Sequence, residues 1–227
     1  MKKFTFVFMA LMMIFVAADI ASADLNDGLV AYYPFDGNTN DESGNDNHGT
    51  KNEQTEYLEG KYGQAGNFAN ASESVVVQNS SELSLTEWSL SAWIYRVGSM
   101  DGYIVTTSNA TDRYNYALAV SGNCIRGQYE TAPSDYDHVI SACNIQQNEW
   151  VHAISTRSSS GEHKIYINGI LTDSKVWNDT PAQDDHEILL CKGSVGYIDE
   201  VRIYNRALSE SEIKLLSVAD DYPTAFS

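Results

Sequence analysis

Apolar and polar residues alternate with a period of two along most of this chain. In Trp88-Ser-Leu-Ser-Ala-Trp-Ile-Tyr95, Trp88, Leu90, Ala92 and Ile94 fall on one side and Ser89, Ser91, Trp93 and Tyr95 on the other. That pattern predicts a strand with one face on a core and an aromatic-bearing second face that is only partly solvated. Leu29–Tyr33, Val75–Val77, Tyr103–Thr107 and Tyr114–Val120 follow the same grammar. Lys164–Ile167, Asn168-Gly169 and Ile170–Thr172 predict a two-residue hairpin, because Asn-Gly supplies the positive φ of a type I′ turn. Gly196–Tyr204 predicts a last strand. Helical spacing enters only after it: Ser209-Glu-Ser-Glu212 is a capping box, followed by Ile213, Leu215 and Leu216. Turn signals between strands and a single late helix predict an all-β, antiparallel sandwich of two sheets rather than an α/β fold.

The N-terminus reads differently. Met1-Lys2-Lys3 is basic, Phe4–Ala18 is almost wholly apolar, and Ala21-Ser22-Ala23 offers a small-residue cleavage site. This predicts a secretory signal peptide over 1–23, cut before Asp24, since the apolar run is shorter than the roughly 20 residues of a membrane span. Residues 24–217 then form one domain and 218–227 a short tail. No membrane span is expected after cleavage, and the localisation expected is secreted: extracellular, periplasmic or cell-surface. The net charge of −17 over 227 residues repels phosphate backbones and argues against a nucleic-acid partner. Export permits disulfides. Cys124 and Cys143 flank a turn near Ala132-Pro133-Ser134, so they could bridge across a hairpin and leave Cys191 as an odd, buried thiol.

Pro34–Thr50 is crowded with Asp, Asn and Gly and holds one large apolar residue, Phe35. Such a loop is either a solvated connection or an oxygen-rich cation site. Asp199 shares the parity of Val201 and Ile203, which puts a carboxylate in a core-facing row. That is costly unless it is paired or metal-bound.

Gly28–Asn38 and Asp41–Thr50 resemble the opening of laminin-G-like jelly-roll domains of the concanavalin A-like superfamily, and Ile198–Ile213 resembles their closing strand and helix. Leu90–Ile94, Glu149–His152 and Lys164–Gly169 match their middle landmarks. The resemblance implies two curved sheets in a jelly roll and a calcium ion where the first and last strands meet. By motif, the ligands it implies are Asp36, Asp41 and Asp199, with Asn38 and the His48 carbonyl as further candidates. Oxygen donors of this kind suit Ca2+ rather than zinc.

The resemblance also admits glycoside hydrolases and lyases, but the paired-acid pattern Glu-x-Asp-x-x-Glu is absent, and no G-x-S-x-G or H-E-x-x-H occurs. Asp184-Asp185-His186-Glu187 reads as a solvated loop, and Ser155–Ser160 between His152 and His163 as a hairpin loop. The expected role is therefore non-catalytic recognition of an extracellular glycan, or of a cell-surface protein, with a polysaccharide-active enzyme or a structural or adhesion module of the cell surface as the alternatives. The candidate ligand residues are Tyr103, Arg113, Tyr114 and Tyr136, with Asp112, Tyr129 and Trp177 as further possibilities, since loops on rigid sandwiches carry binding.

Overall fold

The computed structural model describes residues 24–51, 55–68, 70, 72–107, 115–131, 137–183 and 186–218. The expected leader and the tail after Val218 lie outside them. In chain order the strands are β1 (Leu29–Tyr33), β2 (Gly49–Lys51), β3 (Glu56–Glu59), β4 (Gln64–Phe68), β5 (Val75–Val77), β6 (Trp88–Tyr95), β7 (Met100–Thr107) and β8 (Ala117–Gly122). They continue with β9 (Cys124–Glu130), β10 (Asp137–Cys143), β11 (Trp150–Arg157), β12 (Glu162–Ile167), β13 (Ile170–Val176), β14 (Ile188–Ser194) and β15 (Gly196–Tyr204), and α1 (Glu210–Val218) is the last described element.

The strands form two antiparallel sheets. One runs β13-β12-β11-β6-β15-β4-β3, with β1 also paired to β15; the other runs β10-β9-β8-β7-β14-β5-β2. Most neighbours in the sheets are distant in sequence, as a jelly roll requires. The core lies between the sheets. Trp88, Leu90, Ala92 and Ile94 enter it from β6, as alternation predicts, and meet Val105, Leu118, Val120, Ile125 and Ile140 from the opposite sheet. Burying each of the Val, Leu and Ile side chains among them stabilises the fold by roughly 1.5–3 kcal/mol.

The second face of the β6 sheet is largely covered as well. Leu208, Ile213 and Leu216 pack on Ile154, Tyr166 and Tyr204, so α1 lies across the outside of the sheet. The capping box forms as expected: the Ser209 amide donates to Glu212 Oε2 at 2.8 Å, and the Ser209 hydroxyl to the same oxygen at 2.7 Å. Arg206 reaches Glu212 Oε1 at 2.6 Å. These bonds, the Arg206 contact foremost, hold the Glu212 carboxyl down at about 2. Ser89, buried beneath, accepts from the Leu208 amide at 2.9 Å and donates to the Arg206 carbonyl at 2.9 Å.

The Asn-Gly hairpin is present, with Asn168 at φ 50 and Gly169 at φ 75. Cys124 and Cys143 lie opposite each other on β9 and β10 and are joined as a disulfide. Cys191 is free and buried, and burial pushes its thiol up.

Candidate functional site

The edge of β15 decides where the opening loop meets the closing strand. β6 lines one side of β15. The other side is shared: Gly196, Tyr197 and Ile198 pair with β4, and Val201–Tyr204 with β1. The partners change at Asp199-Glu200. At the same point β15 carries a bulge against β6, since Asp199 faces Trp93 while Arg202 faces Ser91. Glu200 takes a φ of 56° there. One extra residue inverts the parity of everything beyond it. Ile198, Val201 and Ile203 therefore all reach the core, and Asp199 does not share their face. Simple alternation put Asp199 in the core row; the bulge turns it to the outer face, beside Trp93.

Asp199 is nevertheless 0% exposed. The loop Gly60-Lys-Tyr-Gly63, between β3 and β4, lies over it. The Tyr62 amide donates to Asp199 Oδ2 at 3.0 Å, and the Lys61 amide also donates to this carboxylate. A Cβ on Gly60 would fall 2.6 Å from the Tyr62 carbonyl and 2.7 Å from Asp199 Oδ2, so glycine is what lets the three approach. The other end of the loop holds Asp36. The Gln64 amide donates to Asp36 Oδ1 at 2.6 Å, and that carboxylate occupies the space a Gly63 side chain would need. Asp199 Oδ1, by contrast, has no hydrogen-bond partner among the described residues. Burial first, then the charges of Glu200 and Asp36, push the Asp199 carboxyl up to about 8 against the pull of the two amides. A buried carboxylate oxygen without a donor, in the field of a second carboxylate, is chemistry that a hard divalent cation relieves. The sequence signal for this pocket is the pair of glycines, Gly60 and Gly63, three positions apart.

The remaining expected ligands sit in the opening loop's own network. Asp41 Oδ1 accepts from the amides of Tyr32 at 2.8 Å and Ser43 at 2.9 Å. Its Oδ2 accepts from Ser43 Oγ at 2.9 Å and the Asn47 amide at 3.0 Å. Four donors leave this carboxylate satisfied. His48 Nδ1 accepts from the Asp41 amide at 3.0 Å, and Asn38 Oδ1 from the Asn40 amide at 2.7 Å. Among the described residues no three Asp, Glu, His or Cys side chains converge as a ligand set. A cation at Asp36 and Asp199 would complete its shell with backbone carbonyls and water.

Two Ser–His contacts occur, neither arranged for catalysis. Ser155 Oγ lies 2.9 Å from His163 Nε2, and Ser91 Oγ 2.9 Å from His152 Nε2. Both serines are 0% exposed, and the second nitrogen of each ring has no partner among the described residues. Neither ring has the carboxylate that orients a catalytic imidazole. Burial, helped by Arg202 for His152 and by Arg157 and His138 for His163, holds both rings neutral, near 3.

A groove opens on the outer face of the other sheet. Lys192, Tyr103, Ala119 and Arg126 stand in one cross-strand row over β14, β7, β8 and β9. With Asp101, Ser121 and Gln128 they line a cavity of about 410 Å³. Small residues, Gly102, Ala119 and Gly193, leave its floor open. Of the ligand candidates, Tyr103 is in this groove, while Asp112, Arg113, Tyr114 and Tyr136 lie outside the described residues. Tyr129 is in the core, edge-on to Trp88 at 5.6 Å, so it offers no platform. Trp177 stacks on His138 at 4.6 Å and packs against the core.

Solved structures share this architecture. The binding domain of Paraclostridial Mosquitocidal Protein 1 is 21% identical, with a TM-score of 0.71 over 86% of this chain and 52% of that one. Domain 4 of the extracellular GH43 arabinanase AbnA from Geobacillus stearothermophilus, solved with arabinotriose, is 22% identical, with a TM-score of 0.66 over 83% of this chain and 98% of that domain. The ligand-binding domain of botulinum neurotoxin serotype D, solved with N-acetylneuraminic acid, is 16% identical, with a TM-score of 0.67 over 86% of this chain and 52% of that one. The chain thus spans about half the length of the two toxin domains. No curated protein matches by sequence. The Laminin_G_3 family model matches residues 69–214, the stretch from the approach to β5 into α1. With that match and the two-sheet jelly roll, the chain belongs to the Laminin_G_3 family of the concanavalin A-like lectin/glucanases superfamily.

Proposed function

We propose that the chain is an exported, non-catalytic glycan-recognition module, with its sugar site in the groove of Tyr103 and its first and last strands tied through a calcium ion. The observation that carries the reading is the row Lys192–Tyr103–Ala119–Arg126. It sets a half-buried ring between two cations in a chain of net charge −17. A ring packs on the C–H face of a sugar and cations pair with a carboxylate, so the groove suits acidic saccharides. The AbnA domain with arabinotriose and the toxin domain with N-acetylneuraminic acid support a sugar ligand. The AbnA arabinanase is an extracellular enzyme, which supports export. Among the described residues no helix is long and apolar enough to cross a membrane.

For the cation, Asp36 and Asp199 supply carboxylates and the Gly60–Gly63 loop supplies carbonyl oxygen. A bound calcium would supply charge neutralisation and nothing catalytic. The protein's own part is to hold Asp199 Oδ2 with the loop amides and to keep the pocket out of bulk water. A glycan array probed with the full chain, with and without calcium, tests the reading. Acidic glycans should bind, and Tyr103→Ala or Arg126→Ala should weaken them at least ~10-fold, about 1.4 kcal/mol. Retained affinity in both variants, or an array without hits, overturns the assignment of the groove.

A further inference from the structure

We infer that the chain carries a second saccharide site, for neutral oligosaccharides, on the outer face of the β6 sheet. Trp150, Tyr95 and Tyr197 stand side by side there on β11, β6 and β15, since Tyr95 pairs with both of the others. Tyr95 and Tyr197 stack at 5.4 Å with planes 9° apart, and Trp150 meets Tyr95 at 5.5 Å and 59°. The helix covers the far half of this face, and the Gly60–Gly63 loop covers its middle. This row is left uncovered by the helix and is bordered by the start of that loop, at Gly60. All three rings remain partly exposed.

The rings, with Glu59, Gly60, Val97 and Asn148, line a cleft of about 470 Å³. That lies within the roughly 300–1,000 Å³ of small-ligand sites. The rim is held in place before anything binds. The Asn148 amide donates to the Arg96 carbonyl at 3.0 Å, and the buried Arg96 side chain donates to the carbonyls of Ile145 and Gly122. A pre-ordered site loses less conformational freedom on binding.

The polar groups select the ligand. Glu59 brings a carboxylate and Asn148 an amide. These accept from and donate to sugar hydroxyls, and among the described residues no cation lines the cleft to offset a sugar carboxylate. The aromatic row suits the C–H faces of uncharged pyranose or furanose rings. Acidic sugars are repelled here and favoured in the groove on the opposite sheet, so the two sites differ in ligand class and either can stand without the other.

The test is titration of the full chain with xylotriose, maltotriose and cellotriose, read by tryptophan emission and by saturation-transfer NMR. At least one should bind and shift the emission. Trp150→Phe should remove the emission change. Tyr197→Ala and the exposed Glu59→Gln should each lower affinity about tenfold or more, with Glu59→Gln leaving the melting temperature unchanged. Three results overturn the inference: no binding of any of the three at millimolar concentration, wild-type affinity in both Tyr197→Ala and Glu59→Gln, or displacement of the neutral sugar by sialyllactose.

Discussion

His163 offers a quantitative test of how the core is built. It is 0% exposed, bonded to Ser155 at 2.9 Å, and packed between Trp88 at 6.0 Å and Tyr129 at 5.6 Å. Burial first, and then the Arg157 and His138 charges, lower its protonation from 6.5 to about 3. The unfolded chain takes up this proton below about pH 6.5 while the folded chain refuses it, so stability is present above that pH and lost as pH falls toward 3. Each pH unit costs up to about 1.4 kcal/mol, so going from pH 7 to pH 5 should cost about 2 kcal/mol through this one ring. The comparison that isolates it is wild type against His163→Gln, which keeps a polar partner for Ser155 and cannot titrate. Urea unfolding at both pH values supplies the numbers. At pH 7 the variant should be less stable, because the ring's packing is lost. By pH 5 that deficit should shrink by about 2 kcal/mol, roughly 1 M in urea midpoint for a slope near 2 kcal/mol/M. A deficit that stays the same at the two pH values would refute the claim that His163 is buried as the neutral ring.

Three further outcomes follow from the geometry. Calcium at a hundredfold excess over its dissociation constant should stabilise by about 2.7 kcal/mol, hence raise the melting temperature over a chelated sample by roughly 5–11 °C. Asp199→Asn and Gly60→Ala should both flatten that response, and a full response in either sinks the clasp. Glu212→Ala removes the helix cap and the Arg206 partner together and should cost about 1–3 kcal/mol by thermal denaturation; a neutral effect would mean that α1 is held by its apolar face alone. Replacing Cys124 and Cys143 by serine releases a 19-residue separation. It should cost about 3 kcal/mol, seen equally as a lower melting temperature of the wild type under reductant.

Much of the fold was legible along the chain. The two-residue period of β6, the Asn-Gly hairpin, the Ser209 capping box and the Cys124–Cys143 bridge all rest on interactions within a strand, a turn or one hairpin. Local chemistry writes such features directly into neighbouring positions. For Asp199 the alternation of residues points to the core face, whereas a bulge places it outside and a loop buries it there.

Pattern alone determined the antiparallel sandwich and the acid balance and singled out Asp199, while the resemblance named Asp36, Asp41 and Asp199 alike. Only the tertiary structure decided which groups meet. Asp36 and Asp199 come together because β1 and β4 share one edge of β15 and leave a break at the bulge, bridged by Gly60–Gly63. Asp41 is taken up instead by amides of its own loop. The cleft of Tyr95, Trp150 and Tyr197 has the same origin, since its rings are 47 or more positions apart in sequence and become neighbours only through strand register. Register is set by the whole sheet and by how the sheets close on the core, and no local window of sequence contains it.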